Sequence, residues 1–392
     1  MEALGRRVSD RLRVALDVRA DRPGSAGIGR YARHLAEALL EAPDGAGDML
    51  LLTLAGAQPL AGLESSGAEV RPSAAALEVR WRRHLWENLT LPATLRAWRA
   101  DVYHNTAFML PWRRLRVATV VTVHDLSHIL HPELHDRRRG PRVRYRLRHS
   151  VARADAVITV SSSVRDDVIA ELGVDPDVVV AVPHGVEPRF HPASDPEARA
   201  RLSALGLQPG FVLAVGTLEP RKNHTRLIEA FGRVAAGRPD LTLVLAGARG
   251  WMEDGILSAA RSSPVAARIR LLGFVPDQDL PELYRMAAAV AYPSLHEGFG
   301  LPVLEAMASG APVLTSQVSA LPEVAGEAAV LVDPLSVDSI ASGLTVVLEP
   351  ARSEQLRAAG PERARRFTWG AAARATREVY RAAAARRRRV AP

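Results

Sequence analysis

The chain has 392 residues, 47% of them apolar, which suits two cores of roughly 180 residues better than one. It has no cysteine, which excludes disulfides, thiolate-bound zinc and thiol catalysis. The formal charge is +8, and of the 51 basic residues 50 are arginine and one, Lys222, is lysine.

Met1–Arg13 alternates charge without the apolar centre of a signal peptide, and no stretch approaches a membrane span, so a cytoplasmic protein is expected. Short apolar runs then alternate with amphipathic segments, the pattern of parallel sheets with crossover helices. Strands are predicted at Leu12–Val18, Met49–Leu54, Asp101–His104, Val117–Val123, Ala156–Val160 and Val178–Val182. The turn-rich Pro183–Pro192 reads as a hinge. The pattern restarts at Phe211–Val215, Leu241–Ala246, Ile269–Leu272, Ala289–Tyr292, Pro312–Thr315 and Ala329–Val332. This predicts an α/β chain of two Rossmann-like, doubly wound domains, residues 1–188 and 189–366. Residues 367–392 are expected to form a helix returning to the first domain, with a basic tail at Arg386–Arg389. Such a pair binds ligands where the carboxyl ends of the two sets of strands face one another, so function is sought in strand-to-helix loops.

Lys222 lies in one such loop, Val215–Asn223, just before a helix predicted over Asn223–Ala236. A chain that uses arginine almost everywhere keeps a lysine where a compact ammonium serves better than a planar fork, and phosphate is such a partner. Arg221 and Lys222 oppose the positive end of the helix dipole, and a bound anion would reverse that conflict. A second loop, Pro293–Pro302, leads into a helix over Val303–Ser309, with Gly298 and Gly300 leaving its first N–H groups accessible to an anion. Glu297 lies in that loop and reads either as a ligand for hydroxyls or as a dipole partner. Glu305 falls beside Leu301, Leu304 and Ala308 on the helical wheel, a carboxylate on an apolar face that is costly to bury unless something pairs with it.

Glu297 and Glu305 form an E-x7-E pattern within His-Glu-Gly-Phe-Gly-Leu-Pro-Val-Leu-Glu-Ala-Met-Ala-Ser-Gly. With Gly216–Asn223, Val121–Ser127, Gly24–Tyr31 and Phe367–Trp369, this resembles the retaining family-four glycosyltransferases of GT-B fold over nearly the whole chain. The resemblance implies that Arg221 and Lys222 neutralise the donor diphosphate in place of a divalent metal, beside Gly216 and Thr217. It implies that Glu297 holds hydroxyls of the transferred sugar and Glu305 the ribose, with Gly298, Phe299, Gly300 and Leu301 offering backbone donors. From the first domain, Gly27 and Gly29 would approach the diphosphate, and His124, next to Asp125, would face the reacting sugar and acceptor. Many relatives carry arginine directly after the glycine matching Gly216, where this chain has Thr217, so Arg221 would supply the second positive charge. The pattern is closest to polysaccharide mannosyltransferases and tilts the donor toward GDP-mannose.

Departure of the diphosphate places positive charge on the sugar and negative charge on phosphate, so fixed cations and N–H dipoles at the phosphate lower the barrier. No cofactor and no metal are expected. The D-x-D matches at Asp175–Asp177 and Asp277–Asp279 read as turn and cap residues, with Asp279 suited to an N-cap. Trp81–Asn88 and Asp136–Arg146, with Trp81 and Arg142 the residues singled out, interleave arginine and aromatic side chains on the expected acceptor side. They suit a saccharide, a polyprenyl-diphosphate-linked acceptor or peripheral contact with the inner membrane face, and equally two solvated helix faces. Nothing resembles a nucleic-acid module. The reading is a glycosyltransferase of envelope or exopolysaccharide assembly. The alternatives are a GT-B-like sugar-nucleotide epimerase, which would act without acceptor, and a non-enzymatic anion-binding protein, which would ignore sugar identity.

Overall fold

The structure, a computed structural model, describes residues 12–21, 27–41, 49–54, 67–73, 80–135 and 140–390. Of the segments singled out above, Met1–Arg11, Gly24–Ala26 and Asp136–Arg139 lie outside them.

Two parallel sheets organise the described residues. The first contains β1 (Val14–Asp17), β2 (Met49–Thr53), β3 (Glu69–Pro72), β4 (Val102–Asn105), β5 (Ala118–Val123), β6 (Ala156–Thr159) and β7 (Val179–Ala181), in the order β3-β2-β1-β4-β5-β6-β7. The second contains β8 (Phe211–Val215), β9 (Leu243–Ala246), β10 (Ile269–Gly273), β11 (Ala287–Tyr292), β12 (Val313–Ser316) and β13 (Val330–Val332), ordered β10-β9-β8-β11-β12-β13. Every pairing is parallel, and β1, β5, β6 and β9 are buried along their whole length, which is why these strands read as mostly apolar runs. Both sheets follow the same winding rule, reversing direction between β1 and β4 and between β8 and β11. The loops after β8 and β11, which carry Lys222 and Glu297, therefore flank a topological switch point.

β3 was not expected. It is a half-exposed edge strand of sequence Glu-Val-Arg-Pro, and a strand with no buried face has no apolar run to announce it. Asp279 stands at the start of the helix Leu280–Met286 but makes no cap hydrogen bond. Its carboxylate turns instead to Arg201, 2.7 Å away, because a charged partner outcompetes a neutral backbone N–H. Asp175, by contrast, does cap its turn, accepting from the N–H of Asp177 at 2.9 Å.

The helix Trp369–Val390 lies on the first sheet, where Ala372, Ala373, Val379, Tyr380 and Ala383 join the core formed with the helix Gly27–Glu41. Arg386 and Arg387 donate to the carbonyls of Asp155 (2.6 Å) and Leu115 (2.7 Å), so half of the terminal arginine run fastens this helix in place. The chain crosses back beside the hinge. A Cβ on Gly185 would lie 2.1 Å from the Trp369 nitrogen, so only glycine fits there.

Candidate active site

The site is built on β5, β8 and β11 and on the turns that follow them. After β8, Pro220–Lys222 forms a 3-10 turn and Asn223 adopts the left-handed conformation (φ 60°), so the helix starts at His224. The buried Asn223 amide donates to the carbonyls of Pro293 (2.9 Å) and Pro334 (2.7 Å), and the Leu295 N–H donates to the Arg221 carbonyl (2.9 Å). These bonds clamp the two loops together.

Lys222 and Arg221 then converge on one carboxylate. Lys222 Nζ lies 2.6 Å from Glu297 Oε1, and Arg221 Nη1 lies 2.7 Å from Oε2. Lys222 also donates to the Tyr292 hydroxyl, which itself donates to Glu297 at 3.0 Å. Arg221 further contacts Glu219 at 2.7 Å and the His296 carbonyl at 2.9 Å. The whole cluster is buried or nearly so: Glu297 is 7% exposed. Burial works against the Glu297 charge, but Arg221 and then Lys222 overcome it and hold the carboxyl down to about 2. Burial lowers the Lys222 pKa from its ordinary value, and burial raises that of Glu219. Gly216, at φ 149°, lets the lysine stem lie 3.4 Å from where a Cβ would stand, and Thr217 follows it without a charge of its own.

The second glutamate sits two turns further on, in the helix Leu301–Ala308. Glu305 is 2% exposed and does find a partner for its charge: Arg30, from the helix Gly27–Glu41 of the other domain, places Nη2 2.5 Å from Oε1. The same Arg30 nitrogen bonds Glu187 in the hinge at 2.6 Å, and Tyr284 donates to Glu305 Oε2 at 3.0 Å. Burial raises the Glu305 pKa and outweighs Arg30.

The two domains meet at Gly298. A Cβ there would stand 1.6 Å from the His124 carbonyl oxygen, so only glycine permits the contact, and Ser161 donates to the Gly298 carbonyl at 2.7 Å. His124 bonds the Thr106 carbonyl through Nε2 at 2.8 Å. A carbonyl only accepts, so Nε2 carries the proton, and Nδ1 keeps its lone pair. Asp125 is held by the N–H and hydroxyl of Ser127, and Arg221 overcomes the effect of burial to lower its pKa. Phe299 is buried, Gly300 has φ 109°, and Leu301 opens the helix. Among the described residues the N–H groups of Gly298, Phe299 and Gly300 make no hydrogen bond, which leaves donors at a helix N-terminus. Gly27 has open space where a Cβ would be, and Gly29 is buried beside it.

The structure thus brings Lys222, Arg221, Glu297 and Gly216 together, and sets His124, Asp125, Gly298 and Glu305 around the same interdomain seam. It does not bring Trp81 and Arg142 to them. Both are exposed, on the helices Arg80–Leu85 and Gly140–Val151, and among the described residues no contact joins them to this cluster. Four participants escaped the sequence reading: Arg30, Tyr284, Tyr292 and Glu219. Arg30 had a signal, since it directly follows the two glycines of Gly27–Tyr31, but its partner is 275 positions away. No group of three or more His, Asp or Glu side chains that could hold a metal ion occurs among the described residues.

Two family descriptions match in tandem: Glycosyltransferase Family 4 over residues 25–190 and Glycosyl transferases group 1 over residues 200–366. The chain is 35% identical over 291 residues to the O-antigen chain mannosyltransferase B of Escherichia coli, spanning 74% of each chain. In structure it aligns with sucrose-phosphate synthase of Thermosynechococcus elongatus at a TM-score of 0.73 and 22% identity, covering 95% of this chain and 98% of that one. It also aligns with Anabaena HepE, a structure in complex with UDP and glucose, at a TM-score of 0.70 and 19% identity over 94% and 98% of the two chains. The two sheets and this match define the GT-B architecture. The chain belongs to the family-four glycosyltransferases. Neither the epimerase nor the non-enzymatic reading finds support in these matches.

Proposed function

We propose that the protein is a retaining, metal-independent hexosyltransferase that moves mannose from GDP-mannose to a saccharide or polyprenyl-diphosphate-linked acceptor during envelope polysaccharide assembly. The reaction is placed in the cytoplasm, at the inner membrane face. The observation that carries the reading is the convergence of Lys222 and Arg221 on Glu297 at the seam between the two domains. The likeness to an O-antigen mannosyltransferase supports the choice of sugar.

On this reading each group has a task. Lys222 and Arg221, already desolvated and fixed by Glu297, Glu219 and Tyr292, stabilise negative charge on the departing diphosphate without reorganising at the moment of reaction. The free N–H groups of Gly298, Phe299 and Gly300 add dipoles of the same sign. Glu297 serves sugar hydroxyls, and Glu305 the ribose. His124, its tautomer set by the Thr106 carbonyl, accepts a hydroxyl hydrogen bond at Nδ1 and orients sugar or acceptor. The bond from the anomeric carbon to the phosphate oxygen breaks, the acceptor oxygen bonds to that carbon on the same face and its proton passes to the departing phosphate oxygen, so configuration is retained and no protein nucleophile is required.

Isothermal titration against GDP-mannose, UDP-glucose, UDP-N-acetylglucosamine, GDP and UDP, each with and without EDTA, tests the donor. Selective binding of GDP-mannose that EDTA leaves unchanged is expected. Loss of binding in EDTA would reject metal independence, and preference for a uridine nucleotide would reject the donor. The anomeric coupling of the product, read by NMR, tests retention.

A further inference from the structure

A second surface of the first domain lies outside the buried cluster described above. The helix Arg80–Leu85 continues through a π-helical turn, Trp86–Thr90, into the helix Leu91–Ala97. Its inner side buries Trp86, Leu91 and Leu95. At a spacing of four residues, Trp81, Leu85 and Leu89 instead stand 59%, 48% and 56% exposed. Beside them, on the helix Gly140–Val151, Tyr145 is 63% exposed. Trp112 joins the two helices, its ring 5.6 Å from Tyr145 and 6.2 Å from His84. Four large apolar side chains on one surface are unusual for a face meant only for water.

The charge around them is of one sign. Arg82 lies over the Trp81 ring at 5.3 Å, and Arg142 and Arg148 are exposed on the second helix. The single carboxylate of these two helices, Glu87, is buried and neutralised by Arg146 at 3.2 Å. The Asn88 side chain accepts from the Arg113 N–H at 3.1 Å, which ties the helix carrying the apolar stripe to a shallow surface depression lined by Arg113, Arg114, Arg153 and Arg387. Among the described residues, Arg113, Arg114 and Arg153 form no ion pair.

We propose that this face docks the protein on an anionic phospholipid bilayer, with Trp81, Leu85, Leu89 and Tyr145 in the interfacial layer and lipid phosphates at Arg113, Arg114 and Arg153. Aromatic and aliphatic side chains supply the apolar burial, and the arginines supply attraction to the negative surface. Charge complementarity selects this occupant over a second copy of the chain, which would set the same cations against themselves. The inference deepens the reading above, since a lipid-linked acceptor is met at a membrane. Its test reads binding without donor or acceptor, so that failure of docking and failure of transfer are separate results.

The full chain is sedimented with vesicles of phosphatidylcholine alone or mixed with phosphatidylglycerol, over a range of salt. Binding to the mixed vesicles only, weakening as salt rises, is expected. Leu85→Ser with Leu89→Ser should lower partitioning at least about tenfold at every salt concentration. Arg113→Gln with Arg114→Gln and Arg153→Gln should lower it about tenfold at low salt and flatten the salt dependence. Leu85, Leu89, Arg113 and Arg114 are exposed and Arg153 is half-buried, and unchanged melting temperatures verify that the variants fold. Absence of vesicle binding by the unaltered chain, or equal binding by both variants, would overturn the proposal. So would self-association that the leucine variant abolishes in the absence of vesicle binding, which would assign the face to a second copy.

Discussion

Glu297 and Glu305 are eight residues apart, equally buried, and each receives a tyrosine hydroxyl, yet their carboxyl groups are shifted in opposite directions. The difference lies in the number of cations. Glu297 has two, Arg221 and Lys222, both from one rigid turn of its own domain. Glu305 has one, Arg30, which comes from the opposite domain and is divided with Glu187. Two cations overcome the cost of burying a carboxylate, and one shared cation does not. On the proposed reading, Glu297 both fixes the loop's cations and serves sugar hydroxyls, while Glu305, held by one shared cation, is the carboxylate expected to exchange its protein partner for the ribose.

The largest effect should come from emptying the first arrangement of its ammonium. Lys222→Met is expected to lower turnover about a thousandfold, the scale of losing one preorganised stabiliser of developing negative charge, with the circular dichroism spectrum unchanged. Turnover near that of the unaltered enzyme would show that this loop is not where the leaving group sits.

Glu297→Gln comes next. It leaves Arg221 and Lys222 buried with less opposing charge, and should cost about 3 kcal/mol of stability in addition to activity. The pH dependence checks the same quantity. A carboxyl lowered on folding from 4.5 to about 2 contributes stability above 4.5 and loses it as pH falls through that window. Urea melts between those limits should therefore show a steep acid limb that Glu297→Gln flattens. Glu305→Gln should behave otherwise. The amide still accepts from Tyr284, so stability should change by about 1 kcal/mol or less, and nucleotide affinity should fall roughly tenfold. Equal losses of stability in the two variants would erase the distinction.

Much of this arrangement was legible before the structure, and what was legible shares a cause. Lys222 stood out because one lysine among fifty arginines needs a reason, and Glu305 because a carboxylate on an apolar helix face needs a partner. Strands buried on both faces, such as β8 at Phe211–Val215, were readable to the residue, whereas the half-exposed edge β3 was not. Arg30 carried no compositional mark in a chain of arginines, and Tyr284 and Tyr292 sat inside segments that read simply as helix and strand. Arg30 gains its role from proximity across the seam between domains, and the two tyrosines from contacts within the second domain, neither of which the local pattern announces. The arginine and aromatic side chains around Trp81 were equally visible, but sequence spacing alone could not tell which of them are packed, like Trp86, and which are exposed, like Trp81.

The smallest expected effect is also the sharpest test of exchangeability. If a nucleotide ribose replaces Arg30 on Glu305, then Arg30→Met removes a competitor, and nucleoside affinity should rise by roughly threefold to tenfold, as when a binding-competent form no longer has to be selected. The gain should depend on pH in a definite direction. Burial already raises the Glu305 pKa, and loss of Arg30 raises it further, so its ionised form, the better acceptor, is progressively lost as pH falls. The improvement measured by calorimetry should therefore be largest in alkaline buffer and shrink toward acid. A fall in affinity at every pH would mean that Arg30 binds the donor itself, and the difference between the two glutamates would then rest on which ligand group each cation serves.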